Sequence, residues 1–144
     1  MSSTRVLSSV AAMLFLTGSA ACSSPTSPAG AFRTELTLQP GQVTAVASTP
    51  LRVGFERVAS DSRCPADALC IQSGDALVVF RVSVEGSAAA DISLRTRGGA
   101  TGDNLTAVVA GYELSVAGLQ PYPISSSPIA PGDYRVTLVV EKDR

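Results

Sequence analysis

The sequence contains no histidine and no tryptophan, and aromatic residues make up only 5% of its 144 positions. Without an imidazole, nucleophilic catalysis by Ser/His/Asp or Cys/His groups is excluded in its usual forms. Zinc would find at most two thiolates and no imidazole, which is too few ligands for a structural site. We therefore expect no catalytic residues, no metal and no cofactor.

Charge is also scarce. Charged residues are 16% of the chain, and 11 Lys and Arg against 12 Asp and Glu give a formal net charge of −1. A basic patch for nucleic acid is therefore not expected. No polybasic cluster would hold a membrane surface either, so any membrane association should come from acyl chains. Hydrophobic residues at 45% indicate one globular domain of ordinary size.

Residues 1–21 have the organisation of a secretory signal peptide. One cation, Arg5, precedes an apolar run over residues 6–16, and small residues then lead to Cys22. The apolar run is too short to span a bilayer as a stable helix, and this disfavours an uncleaved membrane anchor. The pattern predicts export and removal of the leader.

The sequence Ser-Ala-Ala-Cys at residues 19–22 resembles the lipobox of bacterial lipoprotein signals. In that family the cysteine is acylated and becomes the mature N-terminus. The departure is Ser19, where the family usually carries leucine or another aliphatic residue. The resemblance implies lipidation of Cys22, a location in the cell envelope and attachment to a membrane through that lipid. Ordinary signal cleavage, giving a secreted or periplasmic protein, is the alternative.

Residues 22–30 are rich in serine and proline and are expected to tether the domain at 31–144. That domain alternates apolar and polar residues with period two, most clearly over residues 76–85. Seven or eight short strands, with turn residues about every ten positions, predict an all-β, immunoglobulin-like sandwich of antiparallel strands. Val58 falls out of phase, which predicts a β-bulge or a strand end near Arg57.

Cys64 and Cys70 are expected to pair, because an exported compartment favours disulfides and the lipoprotein resemblance assigns Cys22 to a lipid. Six extended residue steps span roughly 20 Å, whereas bridged Cα atoms lie about 5.5 Å apart, so the chain between them must coil back. Pro65 and Asp67 suit the first turn of a helix, and we predict one disulfide-closed helical turn. The domain is also similar to small secreted bacterial proteins of uncharacterised function that have a Cys-Pro-x-x-x-x-Cys segment before a Gly-Asp-Ala strand.

Loops rather than strands should carry any contact with a partner. The candidates are Arg63, Asp67, residues 97–103 and Tyr122, although Tyr122 between two prolines could instead close one end of the sandwich. Convergence of Asp61, Asp67 and Asp75 on Ca²⁺ is disfavoured, since their spacing matches no calcium loop.

The first hypothesis for function is a non-enzymatic, lipid-anchored binding or interaction module of the cell envelope. One alternative is a protease inhibitor that presents the Cys64–Cys70 loop with an exposed Arg63. Another is a hydrolase with clustered acids, which requires a cleft that the sequence does not reveal.

Overall fold

The computed structural model describes residues 32–97, 104–125 and 127–142. The expected signal peptide, the tether and the lipidation site at Cys22 lie outside the described residues. Residues 98–103 of the candidate contact loops also lie outside them.

The described residues form strands and one short 3₁₀ helix, Pro131–Asp133. The eight strands are β1 (Arg33–Leu38), β2 (Val43–Ala45), β3 (Leu51–Asp61), β4 (Ala76–Val84), β5 (Ala90–Arg95), β6 (Thr106–Val109), β7 (Tyr112–Gln120) and β8 (Arg135–Lys142). The all-β class and the expected number of strands are confirmed.

Two four-stranded antiparallel sheets make a β-sandwich-like fold. Their strand orders are β1-β8-β7-β6 and β2-β3-β4-β5. Each sheet is therefore a run of consecutive hairpins, except that β1 joins the far side of β8. Immunoglobulin sheets instead place strands such as B and E, or C and F, side by side. The immunoglobulin-like character is thus not confirmed by the strand order.

One hydrophobic core lies between the sheets. The strands bury alternate side chains, as a half-buried pleated surface requires. Phe55 on β3 and Phe80 on β4 are fully buried and lie opposite each other in the register, with ring centroids 6.0 Å apart. Leu114 and Leu138 contribute from the other sheet. The loops emerge beyond this core, at the two ends of the sandwich.

The predicted irregularity near Arg57 is confirmed. The pairing of β3 with β4 shifts register between Phe55 and Arg57 and again between Val58 and Ser60. An extra residue in one strand of a pair bends that strand and re-aims the side chains beyond it. The shifts lie immediately before Asp61, where β3 leaves the core.

The sandwich has two distinct ends. Arg33 pairs with Glu141 at one end of the first sheet, and we call this the entry end because the described chain enters there. At the opposite end, Gln120 pairs with Arg135. β7 has nine residues, so its two ends lie roughly 26 Å apart at about 3.3 Å per residue.

Candidate binding face at the cysteine-loop end

Residues 62–75, which we call the cysteine loop, extend the β3–β4 hairpin beyond the core. Backbone hydrogen bonds run from the Ser62 amide to the Asp75 carbonyl at 2.8 Å and from the Cys64 amide to the Ser73 carbonyl at 2.9 Å. The predicted disulfide is confirmed: Cys64 and Cys70 are bonded, with their Cα atoms 5.9 Å apart. The loop is thus closed twice, by a ribbon at its base and by a covalent bridge at its tip.

The predicted helical turn within the bridge is not confirmed. One local bond of the turn type forms, from the Ala68 amide to the Pro65 carbonyl at 3.1 Å. The Ala66 amide instead donates to the Pro123 carbonyl at 2.9 Å, far along the chain. A helix needs successive local bonds, and between Cys64 and Cys70 the bond from Ala68 to Pro65 is the single local backbone bond. The turn is held by tertiary contacts.

Gly74 is required at the base of the cysteine loop. Its φ is +60°, and a Cβ built there would lie 1.8 Å from the Ser62 carbonyl oxygen. The two sides of the ribbon therefore approach too closely for any side chain at this position. Only glycine combines that close approach with a positive φ without strain.

Arg63 is buried rather than exposed, contrary to the sequence-based expectation. Its residue exposure is only 8%. Nε and Nη2 donate to the two carboxylate oxygens of Asp61 at 2.8 and 2.6 Å. Nη1 donates to the Leu119 carbonyl at 2.6 Å, and Nη2 also donates to the Pro121 carbonyl at 3.0 Å. The side chain therefore joins the end of β3 to the end of β7 in the other sheet.

This burial corrects the expectation that Arg63 is exposed on the loop. Four of its five N–H groups are committed within the chain, and the fifth, on Nη1, has no acceptor among the described residues. The protease-inhibitor alternative also needed an exposed arginine on the loop, and Arg63 cannot serve as that residue without leaving its ion pair.

The electrostatics around Asp61 favour its charged form. Burial alone would raise the pKa of Asp61. The hydrogen bonds and charge of Arg63, together with the Tyr134 hydroxyl that donates to Asp61 at 3.1 Å, outweigh burial and hold this pKa below its ordinary value. Burial and the neighbouring Asp61 carboxylate raise the pKa of Tyr134. The cluster is therefore most favourable as an ionised carboxylate beside a neutral phenol.

Residues 121–130, which we call the proline loop, pack beside the cysteine loop. The Asp67 carboxylate accepts hydrogen bonds from the Ser125 amide at 2.9 Å and the Ser125 hydroxyl at 3.0 Å. The backbone bond from Ser125 is the main reason that the pKa of Asp67 is lowered. The ring of Tyr122 lies over the Arg63 guanidinium, 5.1 Å from centroid to Cζ, and the residue remains 46% exposed. Arg63, Asp67 and Tyr122 are thus brought together at one end.

The unexpected feature of this end is two fully exposed aliphatic side chains. Leu69 and Ile71 flank Cys70 and project from the tip of the cysteine loop. Ile124 on the proline loop is half exposed as well. Sequence reasoning missed this apolar tip, because it interpreted the segment between Cys64 and Cys70 as one helical turn. The available signal was two large aliphatic residues beside a cysteine in a short turn, where neither can reach a core.

A cleft of about 190 Å³ lies at this end of the sandwich, lined by residues of the cysteine loop, of β7 and of the segment after β5. Arg63, Ser73, Arg97, Leu119, Gln120 and Tyr122 line it. Arg97 is exposed and its Nη1 donates to the Ser73 hydroxyl at 3.3 Å. We call it the Arg97 cleft.

The three acids near the disulfide have separate partners. Asp61 binds Arg63, Asp67 binds Ser125, and Asp75 binds Arg95 at 2.5 Å. Among the described residues, no group of three or more His, Cys, Asp or Glu side chains could hold a metal ion. The three carboxylates act in this structure as acceptors within the loops.

Comparisons with protein-family models, with curated proteins and with solved structures found no match to this chain. In the parts of the chain that the structure describes, no helix has the length and apolar character needed to cross a bilayer.

Proposed function

We propose that the protein is a lipid-anchored β-sandwich of the bacterial cell envelope and acts as a non-enzymatic binding module. Its contact surface is the apolar tip, Leu69 and Ile71, on a cysteine loop that is braced by a disulfide. As in immunoglobulin-like sandwiches, the sheets act as a scaffold and the loops at one end as the variable surface.

The exposure of Leu69 and Ile71 is the observation that carries this proposal. Large aliphatic side chains that stay in water on a rigid loop forgo about 1.5–3 kcal/mol each of burial free energy. The disulfide and the Ser125–Asp67 bonds prevent the loop from folding back to bury them. Burial against a partner recovers that free energy with little loss of chain entropy, because the loop is already ordered.

The position of the tip favours a protein partner over the anchoring membrane. The lipid on Cys22 would join the sandwich through β1, which starts at the entry end. The cysteine loop emerges at the opposite end, roughly 26 Å away along β7. A domain tethered by its entry end presents the tip away from that membrane. The Cys64–Cys70 bridge fits the oxidising compartment that this location supplies.

The test of the binding role compares complexes in detergent-solubilised envelopes. Tagged wild-type chain should sediment as a complex larger than the monomer, and the Leu69→Ser/Ile71→Ser variant should sediment as the monomer. The matched control is Val43→Ser/Val108→Ser, which removes two exposed valines, each 54% exposed, from β2 and β6. Identical sedimentation of all three proteins would reject the proposal.

The anchor has its own test. The mass of the mature N-terminus should correspond to an acylated Cys22, and Cys22→Ala should move the protein from the detergent phase to the aqueous phase. An unmodified N-terminus at residue 22 or beyond would show that the protein is secreted or periplasmic and not a lipoprotein.

A further inference from the structure

We propose that the Arg97 cleft binds a carboxylate carried on an apolar segment of the partner. This inference rests on the proposed binding role and adds the chemistry of the ligand. The ligand group is the C-terminal carboxylate of a polypeptide or an acidic side chain with aliphatic neighbours. Both sources offer the same chemistry to the cleft.

The charge of the cleft selects an anion. Two guanidinium groups, Arg63 and Arg97, line it, and among the described residues that line it none is acidic. Arg81 and Arg95 each have an aspartate partner on a neighbouring strand or loop. Among the described residues, the hydrogen bond of Arg97 is to the neutral Ser73 hydroxyl. A carboxylate at that position would gain a charged donor and a hydroxyl donor together.

Arg63 gives the cleft a fixed wall. Four of its five N–H groups are taken by Asp61, Leu119 and Pro121. The remaining N–H, on Nη1, has no acceptor among the residues that the structure describes. The proposal places that donor toward the cleft, which Arg63 lines. Because the side chain is buried and held from three sides, binding there costs no further side-chain entropy. A pre-positioned donor in the same cleft as the exposed Arg97 is well suited to a two-oxygen acceptor.

The balance of charge favours a monoanion over a phosphate. Asp61 lies 2.6 Å from Nη2 of Arg63 and neutralises it. Among the described residues that line the cleft, the net charge facing the ligand is therefore that of Arg97. A phosphate carries about −1.5 to −2 at neutral pH and would also meet the field of Asp61. A carboxylate matches one net positive charge.

The surroundings of the cleft require an apolar segment on the ligand. Leu119 and the ring of Tyr122 form part of its wall, and Gly74 and Gly118 leave space there. Ser73, in the wall of the cleft, is two residues beyond Ile71 in the cysteine loop. At about 190 Å³, the cleft is smaller than the roughly 300–1,000 Å³ of pockets for drug-sized ligands. It accommodates one terminal group, with the adjoining residues lying on the tip.

The experiment uses the full chain in detergent micelles, labelled with ¹⁵N. The probe is acetyl-Gly-Leu-Leu with a free carboxylate, and its C-terminal amide is the matched negative. The Arg97 Nε–H and Ser73 amide resonances should shift on titration with the acid, with a Kd on the order of 1 mM for a single short peptide. The amide should bind at least about tenfold more weakly, because a charge-assisted contact is lost.

Two further probes separate the sources of the anion. A blocked peptide amide with an internal aspartate between leucines tests a side-chain carboxylate. If it binds as well as the free acid, the acidic side chain is the source. If it binds at least tenfold more weakly, the C-terminal carboxylate is the source. Inorganic phosphate tests charge alone, and phosphate binding as tight as that of the free acid would overturn the assignment to a carboxylate.

Variants complete the test. Arg97→Gln should weaken binding of the acid by about tenfold, whereas Arg52→Gln, an exposed arginine on β3, should not. Unchanged affinity in Arg97→Gln, or equal binding of acid and amide, would overturn the inference. Sedimentation of the Leu69→Ser/Ile71→Ser variant is independent of these probes. The cleft can therefore fail while the binding role stands, and the reverse.

Discussion

At the entry end, charged side chains lie in water and cover aromatic ones. Arg33 pairs with Glu141 at 3.0 Å, both more than 40% exposed. Lys142 lies 5.2 Å from the Tyr112 ring, which packs edge-on against Phe32. At the cysteine-loop end the arrangement is reversed. Arg63 is buried beneath the Tyr122 ring with Asp61 largely buried beside it, and the aliphatic residues Leu69 and Ile71 project into water.

The two ends of the sandwich therefore use charged and apolar side chains in different ways. The entry end is an ordinary solvated surface, where an exposed ion pair contributes at most about 1 kcal/mol. At the cysteine-loop end a buried ion pair fixes the loops in place, and the apolar side chains that those loops carry have no partner in the described chain. Exposed apolar groups on a rigid support are typical of interaction sites.

We expect the largest loss of stability from the removal of Arg63. Arg63→Ala leaves Asp61 buried without its cation and two carbonyls without a donor, so we expect a loss of about 3–5 kcal/mol in the free energy of unfolding. Arg33→Ala at the entry end should cost less than about 1 kcal/mol. Urea denaturation measures both. Equal losses would show that the two ion pairs do not differ in kind.

Gly74→Ala should be the next largest effect. The Cβ clash with the Ser62 carbonyl adds to the strain of a positive φ, and we expect a cost of about 3 kcal/mol. Gly86→Ala is the matched control, because Gly86 has φ +79° with open space around it. It should cost about 1–2 kcal/mol. A Gly86→Ala variant as unstable as Gly74→Ala would mean that the close approach is unimportant.

Removal of the disulfide should have a smaller effect. Closing a loop of about seven residues contributes about 2.4 kcal/mol by the chain-entropy estimate. The double variant Cys64→Ser/Cys70→Ser should therefore lower the urea midpoint while keeping a cooperative transition, because the core contains neither residue. An unchanged urea midpoint would show that the bridge does not stabilise the cysteine loop.

Acid should weaken the cysteine-loop end through Asp61. Its folded-state pKa lies below the ordinary 3.8, so its contribution is present above that pH and is lost as pH falls through the folded-state pKa. The urea midpoint of the wild type should fall with pH below about 3.8. In Asp61→Asn, compared at the same pH values, this fall should be shallower. An equally steep fall would assign the acid sensitivity to Asp67 and Asp91, whose pKa values are also lowered.

The strands could be predicted from the sequence because period-two alternation is a local signal. Val58 even revealed the β3 bulge by falling out of phase, since a bulge changes the face that a residue occupies. The disulfide was predicted from the spacing of Cys64 and Cys70 together with the expected export of the chain. The strands and the bulge depend on neighbours within ten residues or so.

The state of Arg63 and the apolar tip could not be predicted in this way. The carbonyls that bury Arg63 belong to Leu119 and Pro121, 56 and 58 positions along the chain. Leu69 is a good helix former, yet a single local backbone bond, from Ala68 to Pro65, forms around it, and the Ala66 amide bonds to Pro123 on the proline loop. The local pattern does not reveal these long-range contacts of Arg63 and Ala66.

The central claim is that the cysteine-loop end, and not the entry end, meets a partner. Its most direct test is photocrosslinking in living cells with benzoyl-phenylalanine placed at position 69 or, at the entry end, at position 33. We expect a discrete crosslinked species from position 69 that disappears with Ile71→Ser, and no such species from position 33. Equal yields from the two ends, or an adduct at position 69 that survives Ile71→Ser, would contradict the account.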